Sequence, residues 1–214
     1  MGQVIADMAM SLDGFIADKD HRIDQLVGWY FNGDAEVATP NPAVTFRTSE
    51  ASAEVIREAL ASVGAIVGGR DYFDAANGWG GEHPMGVPVY ILTHEPPADW
   101  PSDSTIRFVT DGLESAVAQA TEAAGGKDVG VATPSLVRQC LDAGLLDELQ
   151  INVVPLVMGE GRTYFDGIGS HVQLEGPEVI EGAGVTHLRY RVAGRPERDD
   201  AAGEQVREVA QRGR

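Results

Sequence analysis

Cysteine is almost missing: Cys140 is the one thiol in 214 residues. No intrachain disulfide can form, and the sequence shows no base paired with Cys140 that would make it a nucleophile. It reads as a small core residue on a helix, and the chain fits a reducing, cytoplasmic setting. Lysine and arginine are scarce, 16 against 33 Asp and Glu, for a formal net charge of −17. That balance excludes a nucleic-acid surface, which needs clustered cations, and argues against docking on anionic membranes. It also means that an anionic ligand must be drawn in by local donors, against the field of the whole molecule. No apolar run reaches the roughly 20 residues that span a bilayer. The opening MGQVIADMAM is short, carries Asp7 and lacks a basic flank, so neither a signal peptide nor a membrane span is expected. Gly2 starts no acylation motif, because Ala6 stands where Ser or Thr is required. The G-x-G-x-x-G dinucleotide fingerprint, internal repeats and low-complexity runs are also lacking. No metal site is expected.

What remains is ample core material, with 43% hydrophobic and 23% charged residues, for one domain over residues 1–194 followed by a charged, Ala-rich tail over 195–214. QVIADMAMS alternates like a strand, and Phe15 to Ala17 form a short second one. Residues 21–48 read as a short helix and a long loop, and long ordered loops in compact domains are usually functional. SEASAEVIREALASVG is a helix capped by Ser49 or Ser52. AIVGG, VPVYILT, TIRFVT, VGVA and ELQINVVPLV are strands, interleaved with the helices RDYFDAANG, GLESAVAQATEAAG and SLVRQCLDAG. HVQLEGPEVI and GVTHLRYRV close the chain with no helix between them. Alternating strands and helices give a mostly parallel sheet with helices on its faces, and the last pair forms an antiparallel edge hairpin.

Three junctions carry the chemistry. At Ala132-Thr133-Pro134-Ser135 a strand runs into a short helix, with Thr133 as N-cap and Pro134 as first helical residue. Leu136, Val137, Cys140 and Leu141 form its stripe, and Gly144 its stop. No acid neutralises the first turn, so its free N–H groups suit a phosphate; the plain alternative is that Thr133 and water satisfy them. At Gly68-Gly69-Arg70 the glycines allow close backbone approach and Arg70 offers a forked cation, unless it pairs with Asp74. A third strand ends at Thr93-His94. Three such ends on one sheet edge fit an extended ligand such as a dinucleotide. Asp13-Gly14 is strong turn chemistry, or a loop over a cofactor. Trp29, Tyr30 and Phe31 are either core or the wall of a flat heterocycle.

MAMSLDGFIAD, VGGRDYF, VYILTH and GLLDELQINVVPLVMGEGRTYFDG, in this order, resemble the dihydrofolate-reductase-like superfamily. Within it they are most similar to the reductase domain of the bifunctional riboflavin-biosynthesis deaminase-reductase, over residues 3 to about 193. The resemblance implies an α/β, three-layer dihydrofolate-reductase-like fold and an NADPH-dependent reductase that passes hydride to a pterin- or pyrimidine-type heterocycle. It implies that Ala6, Ser11, Gly14 and Phe15 border the nicotinamide and that Gly68, Gly69, Arg70 and Asp71 meet the cofactor phosphates. Thr93 and His94 then face the 2′-phosphate, and Ala132, Thr133, Pro134 and Ser135 the pyrophosphate. Asp13 and Asp24 are the candidate proton donors, with Trp29, Phe31 and Arg162 on the substrate side. A homodimer through ELQINVVPLV is expected. The chain departs from the riboflavin-reductase pattern in two places: Val131 replaces a Glu, and GWGGEHPMGV lacks the Asp-Pro segment. These departures motivate the alternative of a nucleotide-binding sensor that keeps the NADPH site without catalysis.

Overall fold

β-Branched and small residues alternate with buried neighbours through the centre of the chain, and these segments assemble the main sheet. The computed structural model describes residues 2–169 and 171–193; the expected tail from Arg195 lies outside the described residues. In chain order the elements are β1 (Val4–Ser11), β2 (Phe15–Ala17), α1 (Asp24–Val27), β3 (Ala35–Ala38), β4 (Thr45–Thr48), α2 (Glu50–Ser62), β5 (Val63–Gly69) and α3 (Arg70–Ala75). Then follow β6 (Val89–Leu92), β7 (Ile106–Val109), α4 (Leu113–Ala124), β8 (Asp128–Ala132), α5 (Pro134–Ala143), β9 (Glu148–Val154), β10 (Arg162–Thr163), β11 (Leu174–Gly182) and β12 (Val185–Val192).

Eight strands form the sheet in the order β11-β12-β9-β1-β8-β5-β6-β7. Neighbours from β9 through β7 run parallel. β12 lies antiparallel to β9, and β11 antiparallel to β12, which is the expected edge hairpin. The apolar run of β9 is explained by its place between β12 and β1, so it makes no case for a subunit interface. No helix among the described residues is long and apolar enough to cross a membrane.

One face of the sheet is covered by α4 and α5. Ala116, Ala120 and Ala124 of α4 bring that helix close, and Leu136, Val137, Cys140 and Leu141 of α5 pack with Ala6, Val67 and Val131. Cys140 is fully buried, and burial pushes its thiol up to about 12, the inert behaviour of a core thiol. Gly144, at φ 69°, ends α5 with its N–H on the Cys140 and Leu141 carbonyls, the left-handed stop that glycine adopts without a Cβ penalty.

The other face is covered in two separate places. Toward β9, α2 packs Ala53 and Ile56 with Leu26, Trp29 and Val37. Toward β7, Phe73, Trp79 and Trp100 pack on Ile66, Val89 and Ile106. Ser49 is the cap of α2, accepting the Ser52 N–H. Residues 21–48, expected as a helix and a loop, also contain the antiparallel pair β3–β4. Between these two coverings the sheet face over β1, β8 and β5 is left open, and a cavity occupies that gap.

Candidate active site

Pairing along β1 sets the geometry of the site. β1 pairs with β8 only from Val4 to Ala6, opposite Val129 to Val131, but with β9 all the way to Ser11. Beyond Ala6 the sheet therefore parts between β1 and β8. β8 ends at Ala132, and the chain turns through Thr133 into α5. A cleft opens at the carboxyl ends of the parallel strands, where ligands of such sheets bind.

On one side of the break lies a groove of ≈ 550 Å³ lined by Gly69, Arg70, Asp71, Thr93, His94, Thr133 and Ser135, among others. Residues taken from three distant parts of the sequence thus share one groove. No acid occupies the first turn of α5 and no side chain caps it. Thr133 sits at φ 103°, in the region that favours glycine, a strain of the kind held at functional sites. Its side chain lies against Gly69: a Cβ there would come within 3.3 Å of Thr133 Oγ1. A Cβ on Gly68 would come within 2.7 Å of the Tyr72 ring. Arg70 is committed, as its Nε donates to both oxygens of Asp74 and its Nη1 to the Glu95 carbonyl. The alternative reading of Arg70 as a partner of Asp74 is thus the one seen, and the groove's open donors are those of the α5 start. Glu95 lines the groove beside His94. The residues fit a dinucleotide by backbone amides and hydroxyls more than by cations.

On the other side lies the cavity of ≈ 240 Å³ over β1, β8 and β5, with Asp7, Val131 and Ala132 in its wall. Asp7 is solvent-exposed through the cavity, although the protein around it still desolvates its carboxyl. Burial raises its carboxyl to about 6, against the lowering pull of the Asn152 hydrogen bond and Arg189. Asn152 Nδ2 donates to Asp7 Oδ1 at 2.6 Å, and Asn152 Oδ1 lies 2.6 Å from His187 Nδ1. That contact assigns the imidazole proton to Nδ1, so Ser52 Oγ, 2.9 Å from Nε2, donates to the ring. Ser49 Oγ in turn donates to Ser52 Oγ. Every donor in this buried chain points toward Asp7. Burial holds His187 neutral, lowering it to about 4. Ser52 and His187 are sealed in the protein, so the row fixes Asp7 and has no access to a substrate of its own. Gly182 closes the row: a Cβ there would fall 2.2 Å from Ser52 Oγ. Gly182→Ala is expected to cost about 1–3 kcal/mol by overpacking, read from a urea melt.

Other sequence-predicted residues fall elsewhere. Asp13 is a loop anchor. It accepts from Ser11 Oγ at 2.6 Å and from the Met158 and Gly159 N–H groups, and the Ser11 bond foremost holds its carboxyl down at about 2. An anion so held has no proton to give at neutral pH. Asp13→Ala is expected to lower the melting temperature and to open the 155–161 loop to protease while Asp7 keeps its partners. Ser11, fully buried, also accepts the Phe15 N–H, and Gly14 takes φ 92° in the same turn. Asp24 begins α1 beside Asp18, Arg22 and Met158, away from both the groove and the Asp7 cavity. Trp29 is 3% exposed and stacks on Tyr30 at 3.9 Å, so it belongs to the core and not to a pocket wall. Phe31 is 63% exposed against Tyr30 and Phe46. Arg162 is half-exposed and faces Asp71 at 3.9 Å. None of these three lines the Asp7 cavity. Asp7 is not among the residues the sequence singles out; its one signal is a carboxylate in an otherwise apolar strand.

The family model for the RibD C-terminal domain matches residues 3–187. No curated protein matches the sequence. Among solved structures, a Shewanella sp. PV-4 protein assigned to riboflavin biosynthesis superposes with a TM-score of 0.64 at 22% identity, over 89% of this chain and 98% of that one. The Thermotoga maritima diaminohydroxyphosphoribosylaminopyrimidine deaminase/5-amino-6-(5-phosphoribosylamino)uracil reductase gives 0.61 at 14% identity, over 90% of this chain and 57% of that one. Enterococcus faecalis dihydrofolate reductase, in complex with NADP(H), gives 0.55 at 17% identity, over 90% and 97%. The likeness establishes a dihydrofolate-reductase-like fold; the chain spans little more than half of the Thermotoga protein.

Proposed function

The chain belongs to the RibD C-terminal domain family, and from that membership we propose that it is an NADPH-dependent reductase acting on a pterin- or pyrimidine-type heterocycle. The observation that carries the reading is the position of Asp7, a carboxyl poised near neutrality at the break between β1 and β8, with the strand-end groove on one side and the open cavity on the other. NADPH bound along that groove supplies the hydride.

The chain's own residues do the rest. The N–H groups at the start of α5, with Thr133 and Ser135, hold the pyrophosphate, and Thr93 and His94 border the adenosine end. The break beyond Ala6 and Val131 would let the reducing end of a bound cofactor meet the cavity. Asp7 serves there as general acid: reduction of a C=N bond adds hydride to carbon and leaves an electron pair on nitrogen, and the Asp7 carboxyl gives that nitrogen its proton. Asn152, His187 and Ser52 keep the carboxyl aimed. Asp13 and Asp24 play no part in proton transfer in this scheme.

Titration of NADPH against tryptophan fluorescence tests the cofactor. Quenching that saturates, with a rise in melting temperature, is expected. No quench and no thermal shift at about millimolar NADPH, well above the usual micromolar affinities, removes the proposal.

A further inference from the structure

Residues 78–85, which depart from the riboflavin-reductase pattern, have no part in the reading above, yet their His83 and Met85 line the Asp7 cavity. Resting on that reading, we propose that Tyr72 contacts the bound ring and that His83 aims it: the phenol gives its O–H in a hydrogen bond to an oxygen of the molecule in the cavity.

The direction of the proton follows from the neighbours. Tyr72 lines the cavity together with His83 and Met85. His83 Nδ1 accepts the Met85 N–H at 3.2 Å, so the imidazole proton sits on Nε2. That nitrogen lies 3.0 Å from Tyr72 Oη and donates to it. The phenol oxygen is then an acceptor toward His83, and its own proton must turn elsewhere. It makes no hydrogen bond to another described residue. Burial pushes the phenol up to about 12 and lowers the imidazole to about 4. Both stay uncharged across the neutral range, and the direction of donation is fixed there.

Packing holds the pair in place. Trp79 stands edge-on to Tyr72 at 4.7 Å and to His83 at 4.8 Å. It does so from a left-handed backbone, φ 49°, between Gly78 at 59° and Gly80 at 67°, a conformation that costs a non-glycine residue about 1–3 kcal/mol. Gly68 leaves the room that the Tyr72 ring occupies. A ring clamped in this way loses little freedom when it binds a ligand. Where the ring oxygen is conjugated with the reduced C=N bond, hydride addition raises its negative charge, and a fixed donor at that oxygen stabilises it.

The test titrates the full chain with lumazine, a fluorescent dioxopteridine, and with 2,4-diaminopteridine, which carries amino groups in place of both oxygens, each with and without NADP⁺. Tyr72→Phe keeps the ring against Trp79 and removes the hydroxyl alone. It is expected to weaken lumazine at least about fivefold, the usual size of one hydrogen bond, and to leave the diamine within about twofold. His83→Leu keeps the phenol but frees its rotation. The same selective loss, about threefold, is expected, and this variant decides the matter if Tyr72→Phe fails to fold. Lumazine that does not bind the wild type, or that binds Tyr72→Phe as tightly, overturns the proposal. So does an equal loss of both ligands, which would make Tyr72 a packing residue. The NADP⁺ arm separates the reductase reading. A selective loss of lumazine with no NADP⁺ binding at all would sink the cofactor groove and leave Tyr72 in its role, whereas NADP⁺ binding with lumazine indifferent to Tyr72→Phe would do the reverse.

Discussion

Asp7→Asn is expected to lower kcat by about 10²–10⁴-fold, the usual contribution of a positioned general acid, with NADPH affinity unchanged. The two effects separate because Asp7 lines the cavity and the phosphate-suited residues line the groove. Asparagine keeps the shape of the side chain and can still meet Asn152, but it holds no transferable proton. The pH profile distinguishes this role from a structural one. Burial lifts the Asp7 carboxyl from 3.8 to about 6, so the protonated population, and kcat with it, falls as pH rises through about 6. Asp7→Asn should flatten that limb. The stability sign runs the same way. A carboxyl whose folded value is raised binds more protons folded than unfolded between about 4 and 6, so the protein gains stability as pH falls through 6 toward 4 and loses it as pH rises. The full shift would amount to about 3 kcal/mol, discounted to about 1 kcal/mol because the group opens onto a solvent-filled cavity. At pH 7 Asp7→Asn is therefore expected to be slightly more stable than the wild type while nearly inactive. Thermal melts at pH 5 and 7 of both proteins check it. An active Asp7→Asn enzyme would remove the proton-donor role.

Asp7 also marks the limit of what could be read from residues in order. The elements around the cofactor groove were legible because local signals specify each one: Pro134 and Gly144 bracket α5, Ser49 caps α2, and three strand ends of like character reveal a shared edge of a parallel sheet. Asp7 owes its chemistry to partners far along the chain. Asn152 is 145 residues away, and the His187 that orients it is a further 35 along. Nothing within ten residues of Asp7 announces which distant side chains will hold its carboxyl. The neighbouring Asp13 has the stronger local signal, a conspicuous Asp-Gly turn, yet its hydrogen bonds keep it an anion. The β3–β4 pair escaped for a different reason. Its strands have four residues each, and the link between them contains Pro40 and Pro42, without the Asn-Gly or Asp-Gly signal of a tight hairpin. The trio Trp29, Tyr30 and Phe31 was divided by packing that no local pattern specifies, with the first ring buried and the last at the surface.

Ser135→Glu is expected to move stability and cofactor affinity in opposite directions. Ser135 lies in the first turn of α5, where no acid is present, and it lines the groove. A carboxylate there opposes the positive end of the helix dipole and should stabilise the fold by about 0.3–1 kcal/mol. The same carboxylate would stand where the pyrophosphate binds. At roughly 5 Å and an effective dielectric near 20, one such repulsion amounts to about 3 kcal/mol, close to a 100-fold loss of NADPH affinity. The groove cannot compensate by swinging in a nearby cation, because both oxygens of Asp74 and the Glu95 carbonyl already hold Arg70. Ser135→Gln, similar in size and uncharged, should keep NADPH binding within about fivefold of wild type, since it adds bulk without the Coulomb term. Fluorescence titration with thermal melts of the three proteins decides the matter. If Ser135→Glu binds NADPH as tightly as the wild type, the phosphates do not lie at the start of α5 and the groove is not the cofactor site. If Ser135→Gln fails equally, the groove is limited by space and not by charge, and the helix dipole has no special part in holding the ligand.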